Sequence, residues 1–291
     1  MPADTAPGRP AEVVIALSCP DRGGIVHAVS GFIMERDGLI LDSQQYSDPA
    51  SGQFFMRVHA RLNAQHTLAR LRDDFATVAA DFGMQWTLTD SAERPRVAIL
   101  VSKIGHCLND LLYRVRTGQL RIDVPVVISN HPDFEELVRS HGIDFVHLPV
   151  TPGTKAQAEA ALLKLIGHLG IDFVVLARYM QVLSDDVCKH LDGRVINIHH
   201  SFLPSFKGAR PYNQAHDRGV KLIGATAHYV TADLDEGPII EQEVVRVDHR
   251  LAPSDLVVAG RDVETVALAR AVQWHAEHRV LPNGHRTVVF R

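Results

Sequence analysis

Hydrophobic and polar positions follow one rhythm over the first ninety or so residues and a different one thereafter. From Glu12 to Ser18 the chain is rich in β-formers, and it is closed by the breaker cluster Cys19-Pro20-Asp21-Arg22-Gly23-Gly24. Ile25, Val26, Val29, Phe32 and Ile33 then recur at helical spacing. Two strands are predicted over Leu39 to Tyr46 and Phe54 to Leu62, joined by a turn around Asp48-Pro49-Ala50-Ser51-Gly52. Leu68, Leu71, Phe75, Val78 and Phe82 mark a second amphipathic helix, and Met84 to Thr89 a last strand. The order βαββαβ implies an antiparallel sheet with both helices on one face, a ferredoxin-like arrangement, assigned to a domain of residues 11–90.

Asp90 to Arg96 carries charge and proline without apolar periodicity, so it reads as a linker. Beyond it the strands become continuous apolar runs: Val97–Val101, Val124–Ile128, Phe145–Leu148, Phe173–Leu176 and Val195–Ile198. Strands buried on both faces look like this, which predicts a parallel sheet with helices on either side. Helical patterns fall between them at His106–Thr117, Phe134–His141, Lys155–Leu169 and Asp185–Leu191. The expected architecture is a Rossmann-like doubly wound domain over residues 96–291, with its site at the C-terminal ends of strands.

Composition narrows the function classes. A net charge of −4 offers no basic field for nucleic acid, and no apolar run reaches the length of a membrane helix. Met1 to Pro10 lacks the apolar stretch of a secretory signal and reads as a disordered leader, so a cytoplasmic location is expected. Cys19, Cys107 and Cys188 are far apart and odd in number, indicating neither a disulfide framework nor a thiolate zinc site.

The candidate chemistry lies late in the chain. Asn197-Ile198-His199 ends a buried strand, and strand alternation puts Asn197 and His199 on one side. A strand follows over Leu222 to Tyr229, then an acidic, turn-rich loop, Val230 to Pro238, containing Asp235. An Asp, a His and an Asn can together manage acyl transfer, through a carboxylate for the nucleophile, an imidazole as acid or electrostatic partner, and an amide for the oxyanion. A satisfied structural histidine and a simple Asp-x-Gly-Pro turn fit the same residues, and the pattern alone leaves both readings open. A metallohydrolase using His199, His200, His216 and His228 is disfavoured. Adjacent histidines on a strand should face oppositely, and no His-x-His or His-x-x-x-His pair occurs among these residues. No metal is expected.

Two resemblances sharpen these readings. Residues 11–90, with Cys-Pro-Asp-Arg-Gly-Gly-Ile at 19–25 leading into a helix, resemble the ACT domain, a regulatory module for small ligands, often amino acids. A glycine-bearing approach to a helix N-terminus can offer backbone amides to a carboxylate, making Asp21, Gly24 and Ile25 a candidate effector site; a plain strand-to-helix turn fits equally. From residue 97 to about 250 the chain resembles the folate-dependent formyltransferase family. The matching motifs are Asn197-Ile-His199 with Ser-Phe-Leu-Pro-Ser-Phe after it, His228 before Val-Thr, and Leu234-Asp235-Glu-Gly-Pro-Ile-Ile. That resemblance implies a catalytic trio of Asn197, His199 and Asp235. It also implies a pterin slot of Met180, Gln181, Val182 and Leu183 with Val230, Thr231 and Leu234 from the later loop.

Members of that family that formylate glycinamide ribonucleotide carry a glycine-rich phosphate loop after the first strand. Here that position, Val101 to Leu108, holds one glycine, too few for a cradle of exposed amides. Ser102-Lys103-x-x-His106-Cys107-Leu108, Lys207-Gly-Ala-Arg-Pro-Tyr212 and Gly219 to Val230 are instead similar to the branch whose members deformylate 10-formyltetrahydrofolate. The resemblance implies hydrolysis to formate and tetrahydrofolate, the formate serving purine synthesis and one-carbon balance, with no cofactor beyond the folate substrate. Formyl transfer to an amine and a catalytically dead amino-acid sensor are the alternatives. A glycine or methionine effector is expected from the ACT resemblance. A homo-oligomer is expected because an isolated βαββαβ sheet leaves edge strands exposed.

Overall fold

The computed structural model describes residues 11–63, 67–201 and 211–291. The leader Met1 to Pro10, and the motif residues from Phe202 to Arg210, lie outside the described residues. Two compact units emerge: 1–93 with 277–283 and 287–291, and 94–276 with 284–286.

The first unit contains β1 (Ala11–Pro20), α1 (Ile25–Met34), β2 (Leu39–Asp48), β3 (Gln53–Leu62), α2 (Leu68–Phe82) and β4 (Gln85–Asp90). Its sheet order is β2-β3-β1-β4, with every neighbouring pair antiparallel. Alternation along the strands puts Val13, Ile15 and Leu17 of β1 on one face with Met56, Val58 and Ala60 of β3. Val29, Phe32, Leu71 and Phe75 of the two helices close over that face. The ring of Phe75 makes edge contacts with Phe32 at 5.0 Å and Trp86 at 4.9 Å, so one aromatic joins both helices to β4. Helix α2 is bounded by Thr67, whose hydroxyl accepts from the Arg70 amide, and by Gly83 in the left-handed conformation.

The C-terminal assignment differs from expectation. Residues 277–283 and 287–291 belong by their contacts to the first unit, although the sequence reading extends the second domain through 291. Here the chain forms β12 (Val280–Asn283) and β13 (Arg286–Val289). The reason is the other face of the small sheet, where Phe55 is buried against Leu281 and Phe290. Arg57, buried on the same face, donates from Nε to the Glu277 carbonyl at 3.1 Å, and Asn283 donates to buried Asp48 at 2.8 Å. A strand with apolar residues on both faces needs two covers.

The second unit is built on β5 (Arg96–Val101), α3 (His106–Arg116), β6 (Asp123–Ser129), α4 (Glu135–Ser140), β7 (Asp144–His147), α5 (Lys155–His168), β8 (Phe173–Leu176), α6 (Asp185–His190) and β9 (Val195–His199). After these come α7 (Pro211–Asp217), β10 (Leu222–Tyr229), β11 (Ile239–Arg246) and the long α8 (Pro253–Ala276). The seven strands order as β11-β10-β9-β8-β5-β6-β7. Strands β5 to β9 are parallel, as their apolar runs predict, but β10 and β11 are antiparallel, so the sheet is mixed. Helix α8 packs on β9, β10, β11 and α3. The three cysteines are free and buried. Among the described residues no helix is long and apolar enough to cross a membrane.

Truncating Phe290 to alanine removes cover from Phe55 and should lower stability by about 3 kcal/mol or more, as expected for a buried Phe→Ala change. Urea unfolding of the full chain checks this; a midpoint unchanged within error would show that the C-terminal segment is not part of the first unit's core.

Candidate active site

Beyond the end of β8 the chain leaves the sheet as an irregular segment tied to its neighbours by hydrogen bonds. The Ala177 amide donates to the Leu100 carbonyl at 2.8 Å, Met180 N to Ser102 Oγ at 2.9 Å, and Ser184 N to Glu159 Oε1 at 2.9 Å. Ser102, itself buried, also donates to Asn130 Oδ1 at 2.7 Å. The first loop of this unit therefore spends its serine on holding the segment that follows β8. Gly105, its one glycine, is required for a different reason than anion binding: a Cβ there would lie 2.4 Å from the Phe134 ring.

This segment and the loop after β10 enclose a cavity of about 250 Å³. All ten residues expected in the site line it: Asn197, His199 and Asp235, with Met180, Gln181, Val182, Leu183, Val230, Thr231 and Leu234. Met180, Val182 and Leu234 are 58%, 55% and 61% exposed, large apolar side chains left open to a concave surface. Such exposure in a cavity suits a flat apolar ligand. Leu183 differs, since it is buried in the core cluster below and only touches the cavity wall.

The polar end of the cavity is set by strand pairing. In the β9–β10 register Asn197 stands opposite His228. His228 Nδ1 lies 2.8 Å from the Tyr229 carbonyl, and a carbonyl can only accept, so this nitrogen carries the proton. Nε2 is then the acceptor for Asn197 Nδ2 at 3.2 Å. That bond fixes the Asn197 amide and leaves its second N–H for a ligand. Burial pushes the His228 imidazole below its usual range, so it is neutral, and its 3.8 Å approach to Asp235 Oδ1 is not an ion pair.

His199 Nδ1 lies 3.4 Å from Asp235 Oδ2. The hydrogen bond from His199 holds the Asp235 carboxyl below the usual carboxylate range, against the opposing effect of burial, so it is anionic at neutral pH. Two of the four non-glycine residues with positive φ among those described, Asp235 at 58° and Arg178 at 64°, line this cavity. Backbone in that region costs about 1–3 kcal/mol per residue and persists where surrounding structure enforces it.

Several neighbours were not legible beforehand. His200 was expected to face away from His199 by strand alternation. Strand β9 instead ends at His199, alternation lapses, and the two rings stack at 4.8 Å. Arg178 Nη1 donates to His200 Nδ1 at 3.0 Å. Burial, with Arg178 next in effect, pushes His200 down to about 4, so it is neutral at working pH. Behind Arg178 lies Glu264 of α8, buried, which accepts from Tyr212 Oη at 2.9 Å and pairs with His106 Nε2 at 2.8 Å. Nothing in the sequence marks Glu264: it is one of three acids on α8, with Asp255 and Asp262.

His106, Cys107 and Glu264 have potential ligand atoms within 4.8 Å of one another. The His106–Glu264 contact is already a hydrogen-bonded pair, and burial pushes the Cys107 thiol far up, keeping it protonated. That chemistry is a carboxylate–imidazole hydrogen bond beside a protonated thiol. His216 is an exposed residue of α7, with its ring 3.5 Å from Asp217.

In the first unit, the Asp21 amide is spent on the Gly52 carbonyl at 2.9 Å, and the Ile25 side chain is buried in the core. Gly24 caps α1 with φ 95°, a conformation that favours glycine. Arg22 lies over the Phe82 ring at 4.3 Å and donates to the Asp81 carbonyl, which pins the loop to the end of α2.

Comparison with known proteins places this geometry in context. The formyl transferase family model matches residues 95–272. The chain is 55% identical over 279 residues to the formyltetrahydrofolate deformylase of Corynebacterium sp. (strain P-1), covering 96% of this chain and 98% of that one. It is 48% identical to the enzyme of that name from Bacillus subtilis (strain 168), over 95% of this chain and 93% of the other. The crystal structure of formyltetrahydrofolate deformylase from Burkholderia mallei superposes with a TM-score of 0.93 at 51% identity, covering 97% of this chain and all, 100%, of that chain. Glycinamide ribonucleotide transformylase 1 from Symbiobacterium toebii aligns over 68% of this chain and 95% of its own, at TM-score 0.64 and 33% identity. The chain thus belongs to the formyl transferase family and, within it, to the formyltetrahydrofolate deformylases.

Proposed function

We propose that this chain hydrolyses 10-formyltetrahydrofolate to formate and tetrahydrofolate, with Asn197, His199 and Asp235 carrying the reaction. The observation behind this reading is the single cavity that joins an open apolar slot to a fixed amide and an Asp–His pair. The pterin would occupy the slot lined by Met180, Gln181, Val182 and Leu183 on one side and Val230, Thr231 and Leu234 on the other. Water would take the place of an acceptor amine. Asp235, anionic, orients it and takes a proton as the water oxygen bonds to the formyl carbon. The free N–H of Asn197 and a protonated His199 stabilise the oxyanion. The bond from carbon to the folate nitrogen then breaks, and the nitrogen leaves with a proton from the His199–Asp235 pair. The proton balance closes on side chains alone, so the reaction calls on no cofactor.

Hydrolysis rather than transfer is favoured by the loop from Ser102 to Cys107. Its serine holds Met180, its glycine packs on Phe134, and His106 is bonded to a buried carboxylate. A phosphate brought to His106 would meet the buried Glu264 carboxylate already bonded to it. Purified protein incubated with 10-formyltetrahydrofolate should release formate at the same rate with or without glycinamide ribonucleotide. Formyl transfer to the amine, with no formate in its absence, would overturn the hydrolytic reading. Asp235→Asn and His199→Ala should each reduce kcat by a factor of about 100 or more while leaving the circular dichroism spectrum unchanged. Near-normal turnover in either variant removes that residue from the trio.

Two further roles are proposed for the first unit. Its glycine-bearing loop would take an amino-acid carboxylate on backbone amides, with glycine and methionine the first ligands to try; Ile25 would contribute only its amide, its side chain being buried. Calorimetric titration of each amino acid should show binding that alters kcat or KM and is lost in Gly24→Val; no heat and no rate change would limit this unit to assembly. Assembly would use β2, an edge strand with Leu39 at 58% and Tyr46 at 45% exposure. Sedimentation should find an oligomer that Leu39→Asp weakens, and a monomer at assay concentration contradicts the idea.

A further inference from the structure

The catalytic imidazole is the end of a line of contacts that begins on α8. Glu264, 2% exposed, is taken out of water, and burial alone would drive it toward the neutral acid. Its partners reverse that: His106 at 2.8 Å, Tyr212 at 2.9 Å and Arg178, whose Nε lies 3.5 Å from Oε2, together hold it ionised. Arg178 Nε has no hydrogen-bond partner among the described residues, so this last contact is a charge pairing. The same guanidinium donates from Nη1 to His200 Nδ1 at 3.0 Å, which leaves that ring's proton on Nε2. His200 lies flat on His199, with the rings 4.8 Å apart and 25° from parallel.

We propose that Glu264 is a positioning residue for the hydrolysis, acting through Arg178 and His200 to fix the placement and charge of the His199 imidazole. Two consequences of the geometry make the case. First, a stacked ring can hold His199 in line with Asp235 only if it is itself immobile, and the bond from Arg178 immobilises it. Second, an uncompensated guanidinium beside two stacked imidazoles would repel the proton that His199 must carry to stabilise an oxyanion. Glu264 supplies the compensating charge from the side away from substrate. The groups facing the two rings are Asp235 from the loop after β10, His228 from β10, Arg178 from the segment after β8, and Tyr212 from α7, its ring 6.4 Å from that of His200. Those facing Glu264 are Arg178, His106 and Tyr212, with Cys107 nearby and protonated.

The inference rests on the hydrolytic reading and is tested apart from it. The pH dependence of kcat/KM should be measured for the unaltered chain, Glu264→Gln, Arg178→Met and the double variant. The high-pH fall of that profile is the readout. In Glu264→Gln the unbalanced arginine should move that fall to lower pH by about one unit. Arg178→Met should move it upward, and the double variant should return it close to the original. Shifts of the same sign in both single variants, or a lower rate with an unmoved limb, overturn the proposal, because a structural role alone would not reverse sign. If the unaltered chain releases no formate, it is the hydrolytic reading that fails. A ring-proton NMR titration of the unaltered chain, assigned with His199→Gln and His200→Gln, needs neither turnover nor a Glu264 variant that folds. His200 should remain neutral down to about 4; His200 titrating near its ordinary range would sink the role assigned to Arg178.

Discussion

The antiparallel pairing of β10 on β9 is the constraint on which the site depends. It sets Asn197 opposite His228 and His199 opposite Thr226, and it delivers the chain into the loop that carries Asp235. A slip of one residue would turn Asn197 and His199 away from the cavity, since side chains alternate faces along a strand. The register is protected by burial. Ile196, Ile198, Ala225 and Ala227 are all buried, so a slipped strand would exchange apolar for polar groups in the core. Thr226 reinforces it, donating to the Ser201 carbonyl at 2.9 Å.

Around that pairing the site is organised as two kinds of surface. The apolar slot consists of side chains that the fold leaves open, while the backbone after β8 is held by its amides donating to Ser102, Leu100 and Glu159. The polar end consists of side chains held by hydrogen bonds that are in place before any ligand arrives. His228 is locked as one tautomer by the Tyr229 carbonyl, and His200 by Arg178. Prior commitment of this kind lowers the reorganisation needed when charge develops on a substrate. Neutral His200 and His228 on either side also mean that Asp235 shares its charge with one protonatable ring, His199.

The first loop of the second unit illustrates how a shared fold is turned to a different acceptor. Glycinamide ribonucleotide transformylase 1 from Symbiobacterium toebii aligns over most of its length with this chain at 33% identity. Here, however, that loop is filled by its own contacts, with Ser102 clamping the slot and His106 engaged with Glu264.

The sequence by itself determined the elements whose burial pattern is one-sided or complete. The ferredoxin-like order of the first unit, the parallel strands β5 to β9 and the helices between them follow from periods of two and 3.6 residues and from uninterrupted apolar runs. The family motifs placed ten residues that the structure brings into one cavity. Tertiary structure decided what no local pattern encodes. Helix α8, buried over much of its circumference, has no narrow stripe to single out Glu264. The C-terminal residues join the first unit because Phe55, far away in sequence, presents an apolar face that needs covering. His200 stacks on His199 because the strand stops one residue before it, and the positive φ of Arg178 and Asp235 is imposed by their surroundings rather than by residue type. Each of these depends on contacts between distant segments, and periodicity within a short window carries no record of them.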